Sequence, residues 1–93
     1  MRRAAKVDNN QSAIVARFRE LYCSVQDLSS VGAGVPDLLV GCMGVNLLGE
    51  VKSAKGKKTP AQVDWHRLWR GQACVVRSVE EATDLVMKIQ GES

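Results

Sequence analysis

The chain holds one histidine, three widely separated cysteines and no C-x-x-C pair. His66 has no cysteine near it in sequence, which argues against a structural zinc site. Cys23, Cys42 and Cys74 sit among Val, Leu and Met and read as small hydrophobic side chains of a reducing compartment. No apolar run exceeds a few residues, so no helix is expected to span a membrane. The basic start, Met1 to Lys6, leads into polar Asp8-Asn9-Asn10-Gln11 instead of an apolar stretch. A signal peptide is therefore not expected, and a cytoplasmic location is. There is no internal repeat and no low-complexity segment.

What remains is a chain of 93 residues, enough for one domain burying roughly 60–65% of its unfolded surface. Residues 1–8 read as a flexible basic arm and residues 9–90 as the single folded domain. The net charge is +3. Basic residues gather at Arg2 to Lys6, Arg17 to Arg19, Lys52 to Lys58 and Arg67 to Arg70. Such clusters suit a polyanionic partner, although a solvated surface explains them equally well.

Periodicity predicts seven elements. Ile14, Val15, Phe18, Leu21 and Tyr22 recur at helical spacing over Gln11 to Tyr22, after Asn9 or Asn10 as cap. Cys23 to Leu28 reads as a strand and the Ser/Gly-rich run to Gly34 as a loop. Pro36 to Gly41 and Val45 to Lys52 form two strands of a hairpin around Met43-Gly44. Thr59, Pro60 and Gln62 combine a capping box with a proline at the first helical position, opening a helix to about Arg70. Ala73 to Arg77 is a short strand. Ser78 and Glu81 suggest another capping box, before a helix striped by Val79, Ala82, Val86 and Ile89. The order is α-β-β-β-α-β-α.

Within that order, Pro36-Asp37 and Glu50-Val51-Lys52 are the informative strings. If the hairpin loop is even in length, Asp37 falls opposite Glu50 on the same face. Lys52 shares that face because it follows Glu50 by two. A four-residue loop, Cys42 to Val45, is expected, because Met-Gly is a poor two-residue turn. Two carboxylates held that close call for a cation between them. Their hard oxygens, with the Val51 carbonyl, suit Mg²⁺ or Mn²⁺. Lys52 would orient or help deprotonate the attacking water, or neutralise developing charge, a pattern suited to phosphodiester cleavage. Taken singly, Asp37 is also a plain turn residue after proline, and Glu50 with Lys52 a charge pair on an edge strand.

The strings Gly34-Val35-Pro36-Asp37-Leu38-Leu39-Val40, Leu47-Leu48-Gly49-Glu50-Val51-Lys52, Thr59-Pro60-Ala61-Gln62 and Trp69-Arg70-Gly71-Gln72 together resemble the VRR-NUC family. This is the virus-type replication-repair nuclease branch of the PD-(D/E)XK superfamily. The resemblance implies a restriction-endonuclease-like fold, a mixed four-stranded sheet flanked by helices. It also implies Mg²⁺- or Mn²⁺-dependent cleavage of branched DNA, four-way junctions included, by a homodimer. Asp37, Glu50 and Lys52 match the family's catalytic positions, and Gln62 matches its later glutamine. Many relatives carry a glutamate on the first helix. Here the helical wheel turns Glu20 away from the buried stripe, so Gln11 is assigned to that position.

Several residues keep two readings. Gln62 serves as a capping residue or as an active-site contact. His66, one turn further along, is a packed or surface histidine or a phosphate contact. Lys55, Lys57 and Lys58 grip flanking phosphates or simply solvate a loop. Trp65, Leu68 and Trp69 read as core or dimer surface before base-stacking platforms. Two rival functions stay open: a DNA-binding module without turnover, and a restriction-type nuclease on linear duplex.

Overall fold

A computed structural model of the chain describes residues 9–92; the basic segment 1–8, expected as an arm, lies outside the described residues. Leu38–Cys42 and Val45–Val51, here β2 and β3, pair antiparallel with Leu38 opposite Gly49 and Cys42 opposite Val45. The loop is therefore even, but it has two residues rather than four. Met43 and Gly44 both have positive φ, 52° and 81°, the signature of a type I′ turn whose twist matches the strands it joins. Composition argued against this turn because Met-Gly lacks the usual asparagine. The pairing of two valine- and leucine-rich strands outweighs the strain at one exposed methionine.

Ser24–Asp27 (β1) adds antiparallel to the outer edge of β2, and Ala73–Val76 (β4) adds parallel to β3. The sheet is thus mixed, in the order β1-β2-β3-β4. The helices are Gln11–Glu20 (α1), Pro60–Leu68 (α2) and Val79–Glu92 (α3). The expected order α-β-β-β-α-β-α is the observed one, and α2 supplies the crossover that a parallel pair requires.

Strand alternation decides what each face carries. Leu38, Val40, Cys42, Leu47, Val51 and Val76 are buried on one face together with Ile14 and Phe18 of α1 and Ala82, Val86 and Ile89 of α3. The other face presents Leu39, Leu48, Glu50 and Lys52. Cys23 and Cys42 are buried, and Cys74 is half-buried; all three are free. Burial, reinforced by the hydrogen bond and charge interaction with Cys42, pushes the Cys23 thiol up to about 12, consistent with a packing role. Among the described residues no helix is long and apolar enough to cross a membrane.

Helix ends differ from expectation for local reasons. α1 stops at Glu20, not Tyr22, because Tyr22 adopts φ 66°. The Cys23 N–H donates to the Phe18 carbonyl and the Tyr22 N–H to that of Arg19, a Schellman closure with tyrosine where glycine is usual. Tyr22 is 95% exposed, so it is not part of the buried stripe. α2 ends at Leu68 because Trp69 is extended and stacks back on Trp65, ring centroids 4.7 Å apart. No α2 residue is buried, so Trp65, Leu68 and Trp69 are not core. At α3 only half the second capping box forms: Ser78 Oγ accepts from the Glu81 N–H, while the Glu81 carboxylate accepts from the N–H of Arg77, one residue earlier.

The turn supplies a test. Replacing Met43 with asparagine relieves a left-handed residue that costs roughly 1–2 kcal/mol. Met43→Asn is expected to raise the urea midpoint with an unchanged slope, because no buried contact is lost.

Candidate active site

The sheet has one end at which β1 and β3 finish, β2 begins and β4 finishes. Asp37 precedes β2 there, and its carbonyl accepts from the Leu28 N–H at 2.6 Å. One step beyond the Leu38–Gly49 pair, the antiparallel register sets Asp37 opposite Glu50. The Asp37 carboxylate accepts from the Val51 N–H at 2.9 Å, so the side chain is tied to the strand that carries Glu50.

Glu50 is 1% exposed. Lys52 Nζ lies 4.0 Å from Glu50 Oε2, and Gln62 Nε2 donates to the same oxygen at 3.0 Å. Burying a carboxylate is costly unless opposite charge and donors meet it, and here a lysine and an amide do so. Gln62 also completes the capping box: its Oε1 accepts from the Thr59 N–H and its own N–H donates to Thr59 Oγ1. Capping and site contact were alternatives in sequence. In the structure the two ends of one amide perform both.

Gly34 sets the approach of α2. Its φ is +81°, and a Cβ there would collide with the Ala61 carbonyl. Only glycine lets the loop before Asp37 pass this close to the first turn of the helix.

α1 is anchored at the same end. Asn10 does not cap its helix with its side chain; Nδ2 donates instead to the carbonyls of Lys52 at 3.1 Å and Arg77 at 2.9 Å. Gln11 is buried at 5% exposure, and its Nε2 donates to Asp27 Oδ2 at 3.4 Å. Hydrogen bonds from the Ser29 hydroxyl and N–H hold the Asp27 carboxyl below its usual range. Glu20 is exposed and paired with Arg17.

Lys55 and Lys57 are exposed and Lys58 half-buried. Their loop is braced by Arg77, whose Nη1 donates to the carbonyls of Ser53 at 2.8 Å and Gly56 at 2.7 Å. His66 is half-buried, edge-on to Trp65, and its Nε2 is buried with no partner among the described residues. Burial, with Lys58 nearby, lowers its pKa from 6.5.

Sequence reading named Asn10 only as a helix cap and missed Asp27 and Arg77. Each acts through a partner far along the chain or through backbone carbonyls, for which no motif exists. Chemically, the end offers hard oxygen donors: the Asp37 and Glu50 carboxylates, the Val51 carbonyl, and the buried amide oxygens of Asn10 and Gln11, which have no donor among the described residues. No group of three His, Cys, Asp or Glu side chains gathers among the described residues. Such a set suits a small hard cation that takes one or two carboxylates and keeps its remaining waters.

No family model matches the sequence, and no curated protein matches it significantly. A solved structure described as "VRR_NUC domain" is 34% identical, with a TM-score of 0.69 over 83% of this chain and 89% of that one.

Two outcomes are expected. Gly34→Ala should lose about 1–3 kcal/mol of stability in urea unfolding, the usual range for one strained backbone position, and should displace α2 from Glu50. An NMR titration of the single histidine should place His66 below 6.5. Because the folded value lies below the unfolded one, this group's contribution to stability is complete above 6.5 and is lost as pH falls through the folded pKa.

Proposed function

Because this chain belongs to the VRR-NUC family of nuclease-type domains, we propose that it is a Mg²⁺- or Mn²⁺-dependent DNA endonuclease. Its preferred substrate is branched DNA such as a four-way junction, and it works as a homodimer. The observation that supports this best is the buried Glu50 met by Lys52 and Gln62 at the sheet end where Asp37 opens the adjoining strand.

The donor set fits a hard divalent cation, which Asp37, Glu50 and the Val51 carbonyl would hold. When bound, such an ion supplies Lewis acidity toward the phosphate and eases water ionisation. The protein's side chains do the rest. The Lys52 ammonium orients the attacking water and balances the charge that builds on the phosphate oxygens. Gln62 keeps Glu50 in one orientation by holding Oε2. The Gln11 amide accepts a hydrogen bond near the ion without adding charge. Lys55, Lys57 and Lys58 grip phosphates on either side of the cut. Their Arg77-braced loop presents these charges at defined positions. His66, largely neutral at pH 7, offers a phosphate a hydrogen bond in place of a charge.

Two strands require two sites, and one small domain supplies one, so a symmetric dimer follows. The exposed Val63, Leu68 and Trp69 of α2 and its cap give such a dimer an apolar surface.

The test is cleavage of matched branched and linear DNA in Mg²⁺ and in Mn²⁺. Asp37→Ala is expected to lower the rate on the order of a thousandfold while junction binding persists. Lys52→Ala should cost roughly a hundredfold or more. Junction cutting by Asp37→Ala at the parental rate would overturn the reading. Equal cutting of linear duplex would overturn the selectivity, and binding without cleavage by the parent would leave a DNA-binding module instead.

A further inference from the structure

Three primary amides stand at the sheet end described above, and each commits its nitrogen to a group that can only accept. Asn10 donates to two carbonyls, Gln62 to the Glu50 carboxylate, and Gln11 to Asp27 Oδ2. An amide held this way cannot turn over without setting its oxygen against another oxygen, so its orientation is determined. The oxygen of Gln62 meets the Thr59 N–H. The oxygen of Gln11 does not meet a donor: Oε1 is buried and has none among the described residues.

A buried carbonyl oxygen without a donor is destabilising. The position therefore calls for an electropositive partner. Its location indicates which kind. Asn10 spans the ends of β3 and β4, Gln11 reaches the end of β1, and the strand between them is β2, which Asp37 opens. α1 thus begins over the strand end that carries the first candidate carboxylate. An open cleft lined in part by Gln11, Ser12, Arg19, Val25 and Asp27 adjoins the amide.

Asp27 is itself anchored. Its Oδ1 accepts from the Ser29 N–H at 2.7 Å and from Ser29 Oγ at 2.5 Å, which leaves Oδ2 for Gln11.

We propose that Asp27 is a positioning residue of the metal site: it holds the Gln11 amide so that Oε1, and not the NH₂ group, faces the divalent cation or its water. The inference rests on the metal-dependent reading above. Ser29 fixes Asp27, Asp27 fixes Gln11, and Gln11 presents an oxygen. With asparagine at position 27 the acceptor-only partner is gone, and the amide is free to turn its NH₂ toward the cation.

Mn²⁺ binding to the full chain without DNA, followed by loss of the free-ion electron paramagnetic resonance signal, tests this independently of activity. Asp27→Asn and Gln11→Leu are each expected to weaken Mn²⁺ roughly 10- to 100-fold, as loss of an outer-shell partner does. Combining them should add no further loss, because one residue acts through the other. Gln11→Glu in the Asp27→Asn background should restore parental affinity, since a carboxylate then needs no orienting anion. That rescue also shows that Asp27→Asn leaves the fold intact. Parental Mn²⁺ affinity in Asp27→Asn, or losses that simply add, would overturn the positioning role. A parent that binds Mn²⁺ no better than Asp37→Ala does would overturn the metal reading itself, and this inference with it.

Discussion

A carboxylate that is 1% exposed at the end of a β-strand constrains everything around it. Glu50 is taken out of water, and the desolvation must be offset locally by charge and hydrogen bonds. Lys52 supplies charge and Gln62 a donor. Because Gln62 also closes the cap of α2, the helix cannot drift without uncovering the carboxylate. Gly34 admits the helix to contact distance from the other side. The position of α2 is therefore a consequence of Glu50's burial, and the helix needs no buried apolar face to be placed.

The same end of the sheet gathers contributions from every layer. The two-residue turn sets the β2–β3 register and with it the Asp37–Glu50 juxtaposition. Asn10 fastens α1 to β3 and β4 through backbone carbonyls, and Arg77 fastens the lysine-bearing loop in the same manner. The apolar core on the opposite face provides rigidity but takes no direct part. Along β3, Glu50 and Lys52 lie on one face and Leu47 and Val51 on the other, the alternation switching at each residue, while Asp27 and α1 reach the same sheet end from the core side.

Much of this was legible in the sequence. Element order followed from hydrophobic period, the start of α2 from Thr59, Pro60 and Gln62, and the acidic pair from strand parity. What escaped has identifiable causes. Turn composition misjudged the hairpin because strand pairing, not Met43, decides the loop length. Tyr22 looked helical because its spacing fits the stripe, yet a Schellman closure turns it outward. The tryptophans of α2 looked like core because helical spacing reports a face and not what covers it. The two ends of Gln62 were treated as rivals because a one-letter code does not separate an amide's donor from its acceptor. Asp27 was invisible for the converse reason: its meaning depends on Gln11, and no periodicity links the two.

The stacking of Trp69 on Trp65 has an optical consequence. These are the chain's only tryptophans, and both belong to α2 or its cap, within two turns of Gln62. The single tyrosine is exposed at the far end of α1, away from the carboxylates. Ultraviolet emission excited at the red edge of indole absorption therefore arises wholly from the helix that leans on Glu50. The domain thus carries its two indoles beside the candidate site, on the helix whose displacement their emission would follow.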